Sequence, residues 1–283
     1  MLSELTNGQA LAIEGIDRGE AAYLLRAVTG AKLAQLIAHP GQPLPPQQSQ
    51  RFHELVRRRR RGEPVAYLVG SREFYGLEFE LSPATLIPRP ETELLVELAL
   101  ARIPENTPLR VLDIGTGSGA IGIAIASLRP HVQLVAADVS EEALSVAAGN
   151  ARRLLPGRRQ LRFVESDWFD ALDGECFDLI VSNPPYIAAA DPHLGQGDLR
   201  FEPKAALVGG SDGLDAIRVL VSGAPSHLRP GGWLLFEHGH DQSQACVELL
   251  AAAGFSEIFD ERDLAGIPRV AGGRQLAGRM TAV

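Results

Sequence analysis

The segment Ser182-Asn183-Pro184-Pro185-Tyr186 combines an amide side chain, two consecutive prolines and an aromatic ring. Each proline fixes φ and removes an N–H, and Pro184 pushes Asn183 toward an extended backbone, so the segment is stiff and poor in donors. It offers acceptors instead. The Asn183 side-chain oxygen and the Pro184 carbonyl suit the two hydrogens of a planar NH₂ group, with Pro185 stiffening the turn and Tyr186 stacked against the plane. A simple proline-rich turn explains the prolines but not the Asn and Tyr that flank them. The implied reactant is a neutral amide or amino nitrogen. An amide nitrogen is a weak nucleophile because its lone pair is delocalised, and no side chain fully deprotonates it near neutral pH. Placement must therefore do more than base catalysis: near-attack geometry contributes about 7–11 kcal/mol, against about 10²- to 10⁴-fold for one general base.

A second segment, Gly115-Thr116-Gly117-Ser118-Gly119, follows the apolar Val111-Leu112-Asp113-Ile114 and precedes an Ala/Ile-rich stretch. Glycines at a strand-to-helix junction let the backbone approach a ligand closely while the positive end of the helix points at it. Asp138 lies 23 residues beyond Gly115, where an acid at the end of the next strand accepts from both hydroxyls of a ribose. Loop and acid together indicate an adenosine-containing cofactor. The spacing also satisfies the dinucleotide fingerprint, because Ala120 is allowed at its last position. Asp113 decides between the two: a carboxylate beside the ligand repels a pyrophosphate and suits a sulfonium, which favours S-adenosylmethionine over NAD. The chemistry of the two segments taken together is in-line attack of the held nitrogen on a sulfonium methyl.

These segments need a frame. After Pro108, apolar strands alternate with helical stretches: strands at 110–114, 133–137, 161–164, 177–181 and 233–237, helices at 120–128, 141–154, 214–227 and 242–253, and a last pair of strands near 256–260 and 269–272. Such alternation predicts an α/β fold with a mostly parallel sheet covered on both faces. The short link before the last strand predicts antiparallel closure. The carboxyl end of strand 177–181, where Asn183 stands, is where open parallel sheets bind ligands. Residues 8–38 and 47–61 carry apolar residues at helical intervals, broken by Pro40, Pro43, Pro45 and Pro46, and predict a small helical bundle. Phe74-Tyr75-Gly76-Leu77-Glu78-Phe79 predicts a hairpin turning near Gly76. The expected domains are therefore residues 1–72, helical; 73–94, hairpin and linker; and 95–283, the sheet domain.

The 283 residues are 45% hydrophobic and 22% charged, an ordinary globular composition. No apolar run approaches the roughly 18 residues that cross a bilayer, and Met1-Leu2-Ser3-Glu4 lacks the basic start of a leader. Two cysteines, Cys176 and Cys246, make no disulfide framework. These features point to the cytoplasm and to no membrane partner. The net charge of −8 arises after residue 82, since the first 82 residues hold 10 Lys and Arg against 9 Asp and Glu. An acidic body disfavours nucleic acid, save for a weak patch at Arg57, Arg58, Arg59, Arg60 and Arg61, which reads more readily as a solvated helix face. His238 and His240, two apart on a strand, would share a face, but no third ligand is evident and no metal is expected.

Taken together, the motifs resemble class I S-adenosylmethionine-dependent methyltransferases with a Rossmann-like seven-stranded sheet, and within them the HemK/PrmC family. The resemblance rests on Pro64-Val65-Ala66-Tyr67-Leu68-Val69-Gly70, Leu86-Ile87-Pro88-Arg89-Pro90-Glu91-Thr92-Glu93, the loop from Asp113, Asp138-Val139-Ser140, Ser166-Asp167-Trp168-Phe169, the Asn183 segment, Glu202-Pro203 and Asp212-Gly213-Leu214-Asp215. It implies methyl transfer to the side-chain amide (N5) of the Gln in the Gly-Gly-Gln tripeptide of peptide chain release factors, which the N-terminal helical domain would recognise. It further implies that Gly115, Thr116, Gly117, Ser118 and Gly119 line the cofactor with Asn183 beside it, that Asp138 holds the ribose, that Asp167 and Trp168 border the adenine, and that Asn183, Pro184, Pro185 and Tyr186 hold the Gln amide. Arg89 and Glu91 are expected to pair and fix the linker over the pocket. The alternative, an adenine-N6 methyltransferase acting on DNA or RNA, shares the acceptor motif but calls for a basic, base-flipping surface.

Overall fold

The computed structural model describes residues 5–158 and 160–276; Met1 to Glu4, read above for a leader, lie outside them. The chain divides into two units, one comprising Met1–Ser71 with Gly195–Phe201, the other Arg72–Leu194 with Glu202–Val283.

The first unit is helical: α1 (Asn7–Leu11), α2 (Arg18–Thr29), α3 (Leu33–Ala38), α4 (Pro46–Arg60) and α5 (Val65–Val69). Thr6 and Asp17 cap α1 and α2 through their side chains, and Pro46 opens α4 at a position where no N–H is needed. Leu24, Leu25, Phe52, Leu55 and Val56 form its buried core. The arginine run is partly neutralised within this unit: Arg58 pairs with Glu63, and Arg59 pairs with Glu20 (2.7 Å) and Asp198 (3.0 Å). The sequence reading stops the helices at Gly62 and Pro64; α5 is a single turn, too short to carry a periodic signal.

A hairpin starts at the boundary, with β1 (Ser71–Phe74) and β2 (Leu77–Glu80) belonging to the second unit from Arg72 onward; its two turn residues Tyr75 and Gly76 both have positive φ, the geometry that matches strand twist. Helix α6 (Glu93–Arg102) follows where the reading expects none; Glu93 and Glu97 stand on one side of it and Arg102 on the other, so its charges mark no single polar face. The sheet then alternates with helices: β3 (Arg110–Ile114), α7 (Ala120–Leu128), β4 (Gln133–Asp138), α8 (Glu141–Leu154), β5 (Leu161–Glu165), β6 (Phe177–Ser182), α9 (Asp215–His227), β7 (Leu228–Glu237), α10 (Ser243–Ala252), β8 (Ser256–Arg262) and β9 (Pro268–Arg274). The strand order is β5-β4-β3-β6-β7-β9-β8, parallel from β5 to β7, with β9 antiparallel to both neighbours. The antiparallel closure is as the short Ile267-Pro268 link implied. β7 begins five residues earlier than the expected 233, because Leu228 already pairs with Phe177; Arg229-Pro230-Gly231-Gly232, with Gly231 at positive φ, then forms an irregularity before regular pairing resumes at Trp233 opposite Leu179.

On one face Leu112, Ile114, Ile180, Leu234 and Phe236 pack beneath Ile217 and Leu220 of α9 and Leu250 of α10. Asn150, fully buried on α8, ties the other side together: its Oδ1 accepts from the Glu80 N–H (2.8 Å), and its Nδ2 donates to the Glu80 carbonyl (2.9 Å) and the Ser118 carbonyl (2.9 Å). Asn150→Ala leaves all three groups short of a partner and is expected to lower the unfolding free energy by about 2–4 kcal/mol, read from urea denaturation. A loss within about 0.5 kcal/mol, the range of an ordinary surface change, would contradict this role.

Candidate active site

Strand order reverses between β3 and β6, since the chain moves outward to β4 and β5 on one side and to β7 on the other. At this switch point the two carboxyl ends lie in register, Ile114 opposite Ser182, and the Ser182 hydroxyl donates to the Ile114 carbonyl (2.8 Å). Immediately beyond lies a cavity of about 420 Å³. Its walls include Gly115, Thr116, Gly117 and Ser118 from the loop after β3, Asp138 and Val139 after β4, Asp167 and Trp168 after β5, and Asn183 and Pro185 after β6. Four strand ends thus converge on one space, as expected for an open parallel sheet.

The loop presents backbone to this space. Gly115 and Gly117 have φ of +70° and +56°, and a Cβ built on either meets nothing within 4 Å, so side chains there would stand where a ligand must lie. Asp138 braces the loop from outside, its Oδ2 accepting from the Gly117 N–H (2.8 Å) and its Oδ1 from the Ser140 N–H (3.0 Å). Trp168 holds φ of +50°, a strained conformation for an aromatic residue, beside exposed Asp167. A backbone cradle, a carboxylate next to it and an apolar wall from Trp168 and Val139 fit an adenosine-containing group.

Several expected residues do not line this cavity. Gly119 starts α7, and a Cβ there would strike Ile123 (2.6 Å), so it serves helix packing rather than the cavity wall. Pro184 is buried and does not line the cavity. Tyr186 is also outside the lining; its hydroxyl donates to Glu237 Oε1 (2.9 Å). Asp113 does not stand beside a ligand. Alternation along β3 turns it away from the face of Leu112 and Ile114, and its Oδ2 accepts from Thr116 Oγ1 (2.6 Å) and the Gly122 N–H (2.9 Å) beneath the loop. Its Oδ1 is buried without a partner among the described residues. Arg89 pairs with Glu202, not Glu91; the buried Glu202 carboxylate also accepts from the Ile87 N–H (3.0 Å) and so fastens the linker by two points. β7 ends at Glu237, so His238 is buried and His240 exposed instead of sharing a face. Among the described residues no cluster of three or more His, Cys, Asp or Glu could hold a metal.

Thr92 and Glu237 are not among the site residues expected from the sequence. Thr92 lines the cavity, donates to Glu237 Oε2 (2.6 Å) and accepts from Asn183 Nδ2 (3.3 Å). Glu237 was detectable in principle, as an acid at the carboxyl end of a parallel strand. The Asn183 segment is also braced from behind, where Gln242 Nε2 donates to the Tyr186 carbonyl (3.0 Å). Burial pushes Glu237 up from the usual carboxylate range, while the Thr92 and Tyr186 hydroxyls pull it back. Burial, then the charge and hydrogen bond of Glu237, raise the Tyr186 phenol.

Burial pushes Asp113 up to about 6; its bonds from Thr116 and Gly122 oppose the shift, and Asp138 adds to it. Because this value lies above the unfolded one, the folded state retains a proton that the unfolded chain loses first, and stability falls as pH rises between about 4 and about 6. Asp113→Asn keeps an acceptor for Thr116 and Gly122 without the titration. The stability of wild type relative to the variant should therefore drop by up to about 3 kcal/mol from pH 4 to pH 7, measured by urea unfolding. A difference independent of pH would refute this.

Residues 9–70 match the family described as PrmC N-terminal domain and residues 91–196 the methyltransferase small domain. The chain is 52% identical over 265 residues to the release factor glutamine methyltransferase of Xylella fastidiosa strain Temecula1, covering 94% of this chain and 96% of that one. It is 46% identical over 257 residues to the protein of that name from Escherichia coli K12, covering 91% and 92%. Among solved structures, a methyltransferase from Pyrococcus furiosus shares the fold, with TM-score 0.54 and 19% identity over 81% of this chain and 98% of that one. With this similarity running through both units and nearly the whole length, the chain belongs to the release factor glutamine methyltransferase family.

Proposed function

We propose that the protein uses S-adenosylmethionine to methylate the side-chain amide nitrogen (N5) of the Gln in the Gly-Gly-Gln tripeptide of peptide chain release factors. The observation that carries this reading is the state of Asn183. It lines the cavity beside the glycine loop, its NH₂ is committed to Thr92, and no described residue donates to its Oδ1. A free amide oxygen held at that place accepts an N–H.

Gly115, Thr116, Gly117, Ser118 and Asn183 would hold the cofactor, with Asp138 on the ribose hydroxyls and Asp167 and Trp168 at the adenine, Gly119 supporting the loop from below. When bound, S-adenosylmethionine supplies an electrophilic methyl group. Asn183 Oδ1 and the Pro184 carbonyl accept the two amide hydrogens of the Gln, which aligns the nitrogen and polarises its N–H bonds. The carbon–nitrogen bond would form as the methyl–sulfur bond breaks, leaving S-adenosylhomocysteine as the neutral leaving group; the nitrogen would become acidic and one of these protons would pass to solvent water. Pro184 and Pro185 keep the acceptors from turning away, and Tyr186, tethered by its hydroxyl, forms the backing of the amide site. Orientation is the larger contribution, since no residue at the cavity can act as a base strong enough for an amide.

Residues 1–72 are proposed as the part that recognises the release factor, residues 73–94 as the linker carrying Thr92 to the site, and residues 95–283 as the catalytic domain, acting in the cytoplasm. No helix among the described residues is long and apolar enough to cross a membrane.

Transfer of a labelled methyl from S-adenosylmethionine to purified release factor tests the reading, with a Gln-to-Ala release factor and a duplex oligonucleotide as controls. Label is expected on the native factor alone; label on either control would overturn it. Asn183→Ala should lower kcat by at least about 100-fold, in line with loss of an oriented hydrogen-bonding group at the reacting centre.

A further inference from the structure

Glu237 closes β7 one strand away from Asn183, with Ser182 opposite Phe236 in the parallel pair, so the two residues leave adjacent strand ends side by side. Its side chain is 1% exposed and forms no part of the cavity wall. The carboxylate is met by two hydroxyls rather than by an ion pair, Arg269 acting on it only at a distance. Burying an acid in this way is costly, and an apolar residue would pack there at less expense. Its placement needs a reason other than stability.

The reason lies in the direction of the hydrogen bonds. A hydroxyl carries one hydrogen, and Thr92 gives its own to Glu237 Oε2 (2.6 Å). Toward Asn183 Thr92 therefore presents only a lone pair, which the Asn183 NH₂ satisfies and the Asn183 oxygen cannot. A flipped Asn183 would set oxygen against oxygen. We propose that Glu237 is a positioning residue that, through Thr92, holds the Asn183 amide with its oxygen outward for the substrate NH₂ group, and through the Tyr186 hydroxyl holds the ring that backs it. The inference rests on the reading that Asn183 receives the Gln amide. It gives Thr92, in the Arg-Pro-Glu-Thr-Glu stretch, a function that neither the cofactor loop nor the acceptor motif supplies.

The test uses the full-length chain with Thr92→Val, Thr92→Ser and Glu237→Gln. Steady-state methylation gives kcat and KM for the release factor, and calorimetry with S-adenosylhomocysteine gives cofactor affinity and reports that each variant is folded. Thr92→Val is expected to lower kcat by about 10- to 100-fold, the effect of losing one orienting hydrogen bond and leaving its partners unpaired, with KM and cofactor affinity changed by less than about threefold. Thr92→Ser restores the hydroxyl and should recover kcat to within about threefold of wild type. Glu237→Gln, which cannot accept from both hydroxyls, should fall with Thr92→Val. Thr92→Val at full kcat, or a parallel loss of cofactor affinity and kcat in all three variants, overturns the inference while wild-type turnover leaves the proposed function standing. An unlabelled release factor with wild-type enzyme would overturn both.

Discussion

The parallel pairing of β3 with β6 governs everything the site contains. Its carboxyl end is locked by the Ser182 hydroxyl on the Ile114 carbonyl, so the glycine loop and Asn183 spring from two points whose separation is fixed by sheet geometry. On the proposed reading, a nucleophile held by one and a methyl donor held by the other meet with little freedom left to lose. For a reactant as weak as an amide nitrogen, that preorganisation matters more than any proton acceptor the protein could offer. The same pairing explains why the cavity opens here: chain connections leave in opposite directions from these two strands, and no crossover fills the crevice between them.

Around this crevice the protein buries a set of polar groups within a mostly apolar sheet. Asp113 supports the loop from below, Asn150 holds its far end to the hairpin, Glu202 fastens the linker, and Glu237 gathers the hydroxyls of Thr92 and Tyr186. Asp113, Asn150 and Glu237 each sit directly behind a residue that lines the cavity, and Glu202 holds Ile87 and Arg89, the neighbours of the lining residues Leu86 and Pro88. Low local dielectric strengthens such bonds when they are satisfied and makes them expensive when they are not, so each group specifies one arrangement of the layer in front of it. Rigidity at the cavity wall is thus achieved by polar bracing rather than by additional apolar packing.

The linker illustrates how these braces cooperate. Its Ile87 and Arg89 are fixed by Glu202, Thr92 by Glu237, and Glu93 accepts from the Tyr75 N–H (2.9 Å) at the hairpin turn. Over seven residues the segment is attached to the loop after β6, to the end of β7 and to β1–β2. Its proline-rich sequence reads as punctuation between domains. In the folded chain it is one wall of the cavity.

Local sequence by itself determined the regular elements and the two chemical motifs. Strands β3 to β6 and helices α7 and α8 carry apolar runs and periods that only one secondary structure satisfies, and the Gly115 loop and Asn183-Pro184-Pro185-Tyr186 restrict the backbone through φ alone. The family likeness was legible for the same reason, because it resides in contiguous residues. Helix α6 escaped since its charged residues fall on opposite sides and mark no single face, and α5 since one turn has no period at all. Partnerships escaped more broadly. That Arg89 meets Glu202 and not its near neighbour Glu91, that Asp113 points under the loop, and that Thr92 and Glu237, 145 residues apart, share a hydrogen bond are outcomes of how separate elements are brought together. Side-chain hydrogen bonds have short reach and strict direction, so which donor meets which acceptor was decided only once the tertiary structure had set the backbone of both.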